Sequence, residues 1–307
     1  MKTVEEQPET WPPLALSEWS DTRDTLHMWL QVIGKVRLKQ ATWVNHSWHT
    51  ALYVTSRGLT TSPVPHGERE FQIDLDFIDH RLEIASSDGR VGGFPLVPQT
   101  VAAFYTRLMA ELERLTLPVR IVARPNEVPE AIPFSKDDKH RTYDADAVNR
   151  FWRTLVQSDR VMKEFRARFI GKCSPVHLFW GAMDLAVTRF SGRLAPPHPG
   201  GIPNLPDRVT REAYSHEVSS CGFWAGTSPI DYPAYYAYAY PEPPGFADAA
   251  VGPAGAFYSK DFREFILPYD RVRESSDPDG TLLEFFQSTY EAAANLAKWD
   301  RAALERG

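Results

Sequence analysis

Cysteine is scarce. Two thiols, Cys173 and Cys221, in 307 residues cannot build a disulfide framework and match a reducing compartment. No apolar run approaches the roughly 18 residues that a membrane-crossing helix needs. The opening MKTVEEQPETWPPL has one lysine, several acids and no apolar stretch of signal-peptide length. These absences predict a soluble, cytoplasmic protein with no membrane partner. Cations are not in excess either: Lys and Arg total 34 against 40 Asp and Glu, a net charge of −6. That balance offers no surplus for a phosphate backbone and argues against nucleic acid as a partner. G-x-S-x-G, G-x-x-x-x-G-K-[ST], H-E-x-x-H and C-x-x-C are all missing, which removes serine-hydrolase, P-loop and zinc-finger chemistry. Gly89, Gly92 and Gly93 fall in a hairpin and not in the strand-to-helix turn that phosphates require, so a nucleotide cofactor is not expected.

What is present supports a large core. The chain is 43% hydrophobic and 12% aromatic, well above the composition of a disordered polymer. Residues 1–19, with Pro8, Pro12, Pro13, Trp11 and Trp19, read as an extended arm. A helix is expected from Ser20 or Asp21, with Leu26, Trp29, Leu30, Ile33 and Val36 on its apolar face. VNHSWHTALYVTSRGL reads as a strand, and Phe71, Ile73, Leu75 and Phe77 alternate as a half-buried one. HRLEIASSDGRVGGFPL predicts a hairpin turning at Asp88-Gly89, followed by a helix over 100–115 and a short strand in LPVRIVA. Residues 124–143, with Pro125, Pro129 and Pro133, read as a surface linker.

The second half replays the first. A helix capped by Asp144 leads to KCSPVHLFWGAMDLAVTRFSG, read as a strand. A Pro/Gly loop, the alternating PAYYAYAY, the hairpin AFYSKDFREFILPY and a closing helix follow. The expectation is an α+β fold in which halves 20–123 and 144–307 form one unit. A mostly antiparallel sheet would span both, with helices on one face, compatible with an internal duplication.

NHSWH, LYVTSRGLTTSPVP, FIDHRL, FIGKCSPVHLFWGAMDLAVTRFSG, EAYSHE and YAYAYPEPPGF are distinctive blocks. Through them the chain resembles, from about Trp11 to Trp299, an uncharacterised bacterial family catalogued as a domain of unknown function. The resemblance implies one complete unit and transfers no catalytic or binding residue.

Candidate chemistry therefore comes from the residues. His46, His49, Cys173 and His177 sit where each half passes from helix to strand. Such groups can ligate a borderline metal, shuttle protons, or serve as hydrogen-bonded core histidines. Arg57 and Arg189 are candidate clamps for a carboxylate or phosphate; the alternative is a salt bridge to Asp74, Asp76 or Glu83. Asp184 is a carboxylate in an apolar run and must be paired or functional. Ser215-His216-Glu217 beside Phe223 and Trp224 suggests a cavity wall, though a surface pair is the simpler alternative. Tyr236, Tyr238 and Tyr240 share a strand face and, with Trp180, suit an aromatic ligand or an ordinary aromatic core. The resulting expectation is a small anionic or aromatic ligand in a cavity between the halves. His49, His177 and Asp184 would be catalytic; Arg57, Arg189, Trp180, His216, Glu217 and Tyr238 would bind. The alternatives are a non-catalytic binding module and a structural protein.

Overall fold

The computed structural model describes residues 9–227 and 229–306. The part of the expected arm in residues 1–8 lies outside the described residues. Helix accounts for 36% and antiparallel sheet for 24%, so the fold is α+β.

The first half runs α1 (Leu16–Gln40), β1 (Tyr53–Val54), β2 (Gly58–Thr60), β3 (Val64–His66), β4 (Arg69–Asp76), β5 (Arg81–Ser86), β6 (Val91–Pro95) and α2 (Val101–Arg114). The second runs α3 (Ala145–Ala167), β7 (His177–Phe179), β8 (Asp184–Leu194), α4 (Asp207–Ala213), β9 (His216–Trp224), β10 (Ala234–Tyr240), β11 (Phe257–Ser259), β12 (Glu264–Pro268), α5 (Tyr269–Arg273), α6 (Pro278–Leu296) and α7 (Arg301–Leu304). Both halves are thus helix, antiparallel meander, helix.

The strands form two six-stranded sheets and not one. The first has the order β1-β2-β4-β5-β6 with β3 on β4; the second is β11-β12-β10-β9-β8-β7. They meet where Leu52 and Leu178 exchange backbone hydrogen bonds of 2.9 and 2.8 Å. That single bridge sets the inner edges β1 and β7 antiparallel. Each meander then runs outward from the junction.

Local chemistry explains the elements. Thr100 and Asp144 accept the N–H groups of Ala103 and Ala147 at 3.1 Å, capping α2 and α3. In β5, Leu82, Ile84 and Ser86 are buried and alternate with exposed neighbours, as a half-buried strand should. α1 is buried on most of its circumference between α2 and α3, so its sequence carries apolar residues almost all round. It begins at Leu16, earlier than expected, with no side-chain cap; the buried indole of Trp19 anchors its first turn instead.

Four other expectations differ. NHSWH is a 3-10 turn over Asn45–Thr50 because His46 and Ser47 adopt left-handed backbone at φ 59°, which ends any strand there. KCSPVHLFWGAMDLAVTRFSG is a hairpin of β7 and β8 that reverses at Met183, φ 58°. LPVRIVA makes no strand, and 124–143 is no simple surface linker: Phe134 and Asp137 are fully buried within it. One apolar cluster runs from Trp11 to Trp299 through both halves.

Candidate functional site

Strand parity divides the second sheet. Leu185, Val187 and Arg189 of β8, Phe223 of β9 and Tyr235 of β10 turn toward α3 and α6. There Tyr235 Oη bonds Ser158 Oγ at 2.9 Å and packs on Phe286. The opposite parity, Asp184, Thr188 and Phe190, then Val218 and Trp224, Tyr236 and Tyr238, Glu264 and Ile266, forms the floor of a cavity of about 910 Å³. Its other walls are Lys35 of α1, Trp43–Trp48 of the 3-10 turn region, Asn126 and Glu127, and the segment 202–214 that includes α4. The cavity therefore lies between the first half's helix-turn and the second half's sheet.

Three carboxyl groups face into it. Burial pushes Asp184 up to about 6, against the opposing effect of the Tyr236 hydroxyl that donates to it at 2.5 Å. Burial, reinforced by the charge of Asp184, pushes Glu127 up to about 7 and Glu264 up to about 8. Among the described residues, no hydrogen bond or ion pair reaches the side chain of Glu127 or of Glu264. Tyr214 and Tyr238 join hydroxyl to hydroxyl at 2.8 Å beside them. Tyr214 lies within the electrostatic reach of all three acids, and its own phenol is pushed up to about 12, mainly by burial.

Lys35 is on a different wall. Its ammonium donates to Asn126 Oδ1 and lies 5.5 Å over the ring of Trp180; burial lowers it to about 8. The Trp180 indole is fixed by donating to the Thr50 carbonyl at 2.9 Å.

The chain as a whole decides its affiliation. A family model described as a family of unknown function, DUF5996, matches residues 11–306. The chain belongs to DUF5996. No curated protein and no solved structure matches it. Membership of DUF5996 assigns no residue a role, so the chemistry rests on where each side chain stands. Among the described residues no helix is long and apolar enough to cross a membrane.

Of the residues singled out from the sequence, Asp184, Trp180, Trp224, Tyr236, Tyr238 and His46 line the cavity. The others do not. His177 is fully buried; its Nδ1 donates to the Pro175 carbonyl at 2.8 Å and burial lowers it to about 4. His49 accepts from the Val44 N–H at 3.2 Å and packs on Trp43. Arg57 is exposed and pairs with Asp76 and Asp79, at 2.5 and 2.7 Å. Arg189, 0% exposed, is enclosed by Phe165, Phe169 and Tyr290 and donates to the Phe165 carbonyl. The expected anion clamp is therefore not assembled: one guanidinium is spent on aspartates at the surface and the other is walled in by aromatic rings. His216 bonds Ser215 Oγ at 3.0 Å, and Glu217 pairs with Arg193 at 2.6 Å.

The four metal candidates also separate. His46 Nδ1 donates to the Ala213 carbonyl and its Nε2 accepts from Lys172 at 2.7 Å. Burial pushes the Cys173 thiol up to about 11, away from the thiolate that a metal would need. Among the described residues, no group of three His, Cys, Asp or Glu is placed to hold a metal ion.

Sequence reasoning missed Glu127, Glu264, Lys35 and Tyr214. Glu264 carries a readable signal: it is a carboxylate on alternate parity with Ile266 in a strand whose other face, Phe265 and Leu267, is core. Glu127 carries none, since it stands in an irregular Pro-rich segment.

Proposed function

We propose that the protein binds a small aromatic metabolite in the cavity between its halves. The observation that carries this reading is the cavity itself. About 910 Å³ falls within the range of small-molecule sites, and its wall is mainly aromatic and aliphatic with a few converging polar groups. Of the two ligand chemistries expected, the aromatic one has the more support: neither Arg57 nor Arg189 reaches the cavity, and its lining cations, Lys35, Lys39 and Arg208, share the wall with three carboxyl groups. A cytoplasmic setting and a small molecule as partner in place of nucleic acid belong to the same proposal, on the scarcity of cysteine and the negative net charge. The repeated helix-meander-helix order supports descent of the halves from one duplicated unit.

The test is methyl-resolved NMR with 2-phenylethanol, a neutral aromatic probe. Shifts concentrated at Ile202, Val218 and Ile266, with Ile84 and Leu112 of the first half unmoved, are the expected result. Shifts spread over both sets, or none at millimolar probe, end the proposal.

A catalytic version has one observation in its favour. With Asp184 near 6 and Glu264 near 8, neutral pH leaves one carboxyl mostly ionised and the other mostly protonated, a base and an acid in one cavity. Solvent deuterium entering the carbon beside the carbonyl of phenylacetone, and lost in Asp184→Asn, supports it. Binding without exchange supports a carrier or sensor.

A further inference from the structure

We infer that the cavity's ligand is an aromatic amine, its ammonium group held by Glu127, Asp184 and Glu264 within a surround of Tyr214, Tyr236, Tyr238 and Trp224. This deepens the reading above and rests on it.

The argument begins with charge. Desolvated carboxylates require a counter-charge or protons. Among the described residues, the groups that reach these three are one another and tyrosine hydroxyls, with no cation among them. Of the cations on the cavity wall, Lys35 is turned to Asn126 and Trp180, and neither it nor Lys39 nor Arg208 is among the groups that act on the three carboxyls. Apart from protons, a counter-charge for the cluster is then one that the ligand brings.

The second line is packing. Glu127 carries no side-chain partner of its own among the described residues. Its carboxyl lies so close against Gly181 that an added Cβ there would come within 1.9 Å of Oε1. Both residues line the cavity, so the carboxyl stands at its wall without a donor among the described residues.

The third line is the kind of wall around the acids. Tyr236 and Tyr238 stack at 6.1 Å, Tyr214 stands 6.2 Å from Tyr238, and Trp224 faces Phe262 at 6.5 Å. Aromatic faces attract a desolvated ammonium through the ring quadrupole, and carboxylates supply the full counter-charge. A lone metal ion fits this surround poorly; a positively charged head on an aromatic body fits both halves of it.

Three probes with one body separate the possibilities: phenethylamine, 2-phenylethanol and phenylacetate, titrated calorimetrically against the full chain at pH 8. The amine should bind at least tenfold tighter than the alcohol, and phenylacetate weakest. At pH 5 the amine's advantage should shrink, because the carboxyls take up protons and Lys35, lowered to about 8, becomes fully charged, while Tyr214, Tyr236 and Tyr238 stay neutral. Glu264→Gln and Glu127→Gln should each bring the amine within about threefold of that variant's own affinity for the alcohol. Equal binding of amine and alcohol by the unaltered chain, or preference for phenylacetate, overturns the amine assignment and leaves the cavity reading intact. Binding of none of the three overturns both. The unaltered chain alone decides, so a variant that fails to fold does not rescue the idea.

Discussion

Tyr236 reaches Asp184 across an entire strand. Its hydroxyl, on β10, donates at 2.5 Å to a carboxylate on β8, and the strand between them carries Gly222 beneath the ring. A Cβ on Gly222 would stand 2.4 Å from Tyr236 Cζ and 2.5 Å from the Leu185 carbonyl oxygen. The glycine is thus what allows the phenol to lie flat over β9.

Gly222→Ala should therefore lower stability by about 1–3 kcal/mol through overpacking against backbone. A urea midpoint unchanged from the parent would contradict this. Tyr236→Phe makes a finer test. The hydroxyl favours the ionised carboxylate, so its removal should raise Asp184 above its present value of about 6, visible as a later ¹³C titration of that carboxyl. An earlier titration would contradict the hydrogen-bond assignment.

Stability should fall on the alkaline side of neutrality. Folded Asp184, Glu127 and Glu264 hold protons up to about 6, 7 and 8, whereas an unfolded chain releases them near 3.8 and 4.5. The native state binds more protons in that window, so stability declines as pH rises through it. His27 and His177 act oppositely: burial lowers both to about 4 from 6.5, so their contribution is lost as pH falls from 6.5 toward 4. Between about 4.5 and 6 the two effects largely cancel; above 6.5 the three carboxyls lower stability, opposed near and above pH 8 by Lys35, whose folded value is lowered from 10.5 to about 8. Glu264→Gln should remove much of that alkaline loss, leaving the variant more stable than the parent at pH 8.5 by on the order of 1–2 kcal/mol. Chemical denaturation at pH 5.5 and 8.5 measures the difference, and parallel curves for the two proteins would refute it.

Which parts of this were readable from residue order follows physical lines. Periodicity and capping are local, so α2, α3, β4, β5 and the Asp88-Gly89 turn were legible, with Gly89 at φ 85°. Asp184 was legible because a carboxylate among apolar neighbours has few explanations. Parity does not carry through a turn: His177 pairs with Ala186 and so shares the face of Asp184, while Arg189 stands on the opposite face with Leu185 and Val187. Nor does parity say which face of a sheet a helix will cover; α3 and α6 cover the Arg189 face, so Arg189 became core while Asp184, Thr188 and Phe190 met the cavity. Left-handed backbone at His46 and Met183 broke two expected strands, and nothing in either residue type demands it. Glu127 entered the site through a segment without period. The pairing of Leu52 with Leu178 joins positions 126 residues apart, beyond the reach of any local pattern.

Arg189 offers a test of the packing role that replaced its expected clamp role. Its guanidinium lies 3.5 Å from the Phe165 ring centroid and 4.2 Å from that of Tyr290. Arg189→Ala should cost about 3–5 kcal/mol, since it leaves a void among rings and removes one of the donors to the Phe165 carbonyl. Lysine lacks the planar fork and should recover only part of that. In a folded Arg189→Lys protein, binding of 2-phenylethanol should match the parent; selective loss of that binding would return the residue to the ligand.

Gly34 provides the sharpest sign test. In the middle of an exposed helix, replacing glycine by alanine gains up to about 1 kcal/mol. Gly34 sits inside α1, well short of its C-terminal turn, so helix propensity alone predicts stabilisation. The structure predicts the reverse. A Cβ there would come within 2.2 Å of Trp180 Cδ1 and 2.3 Å of its Nε1, and that indole is already pinned by its bond to the Thr50 carbonyl. The ring cannot retreat without breaking that bond and moving into the cavity it lines. Gly34→Ala should therefore lower the melting temperature and weaken binding of 2-phenylethanol together. Gly67→Ala, at φ 62° with open space around it, should lower the melting temperature without touching binding. A stabilised Gly34→Ala protein would mean that Trp180 is free to move, and the cavity wall built on it would have to be redrawn.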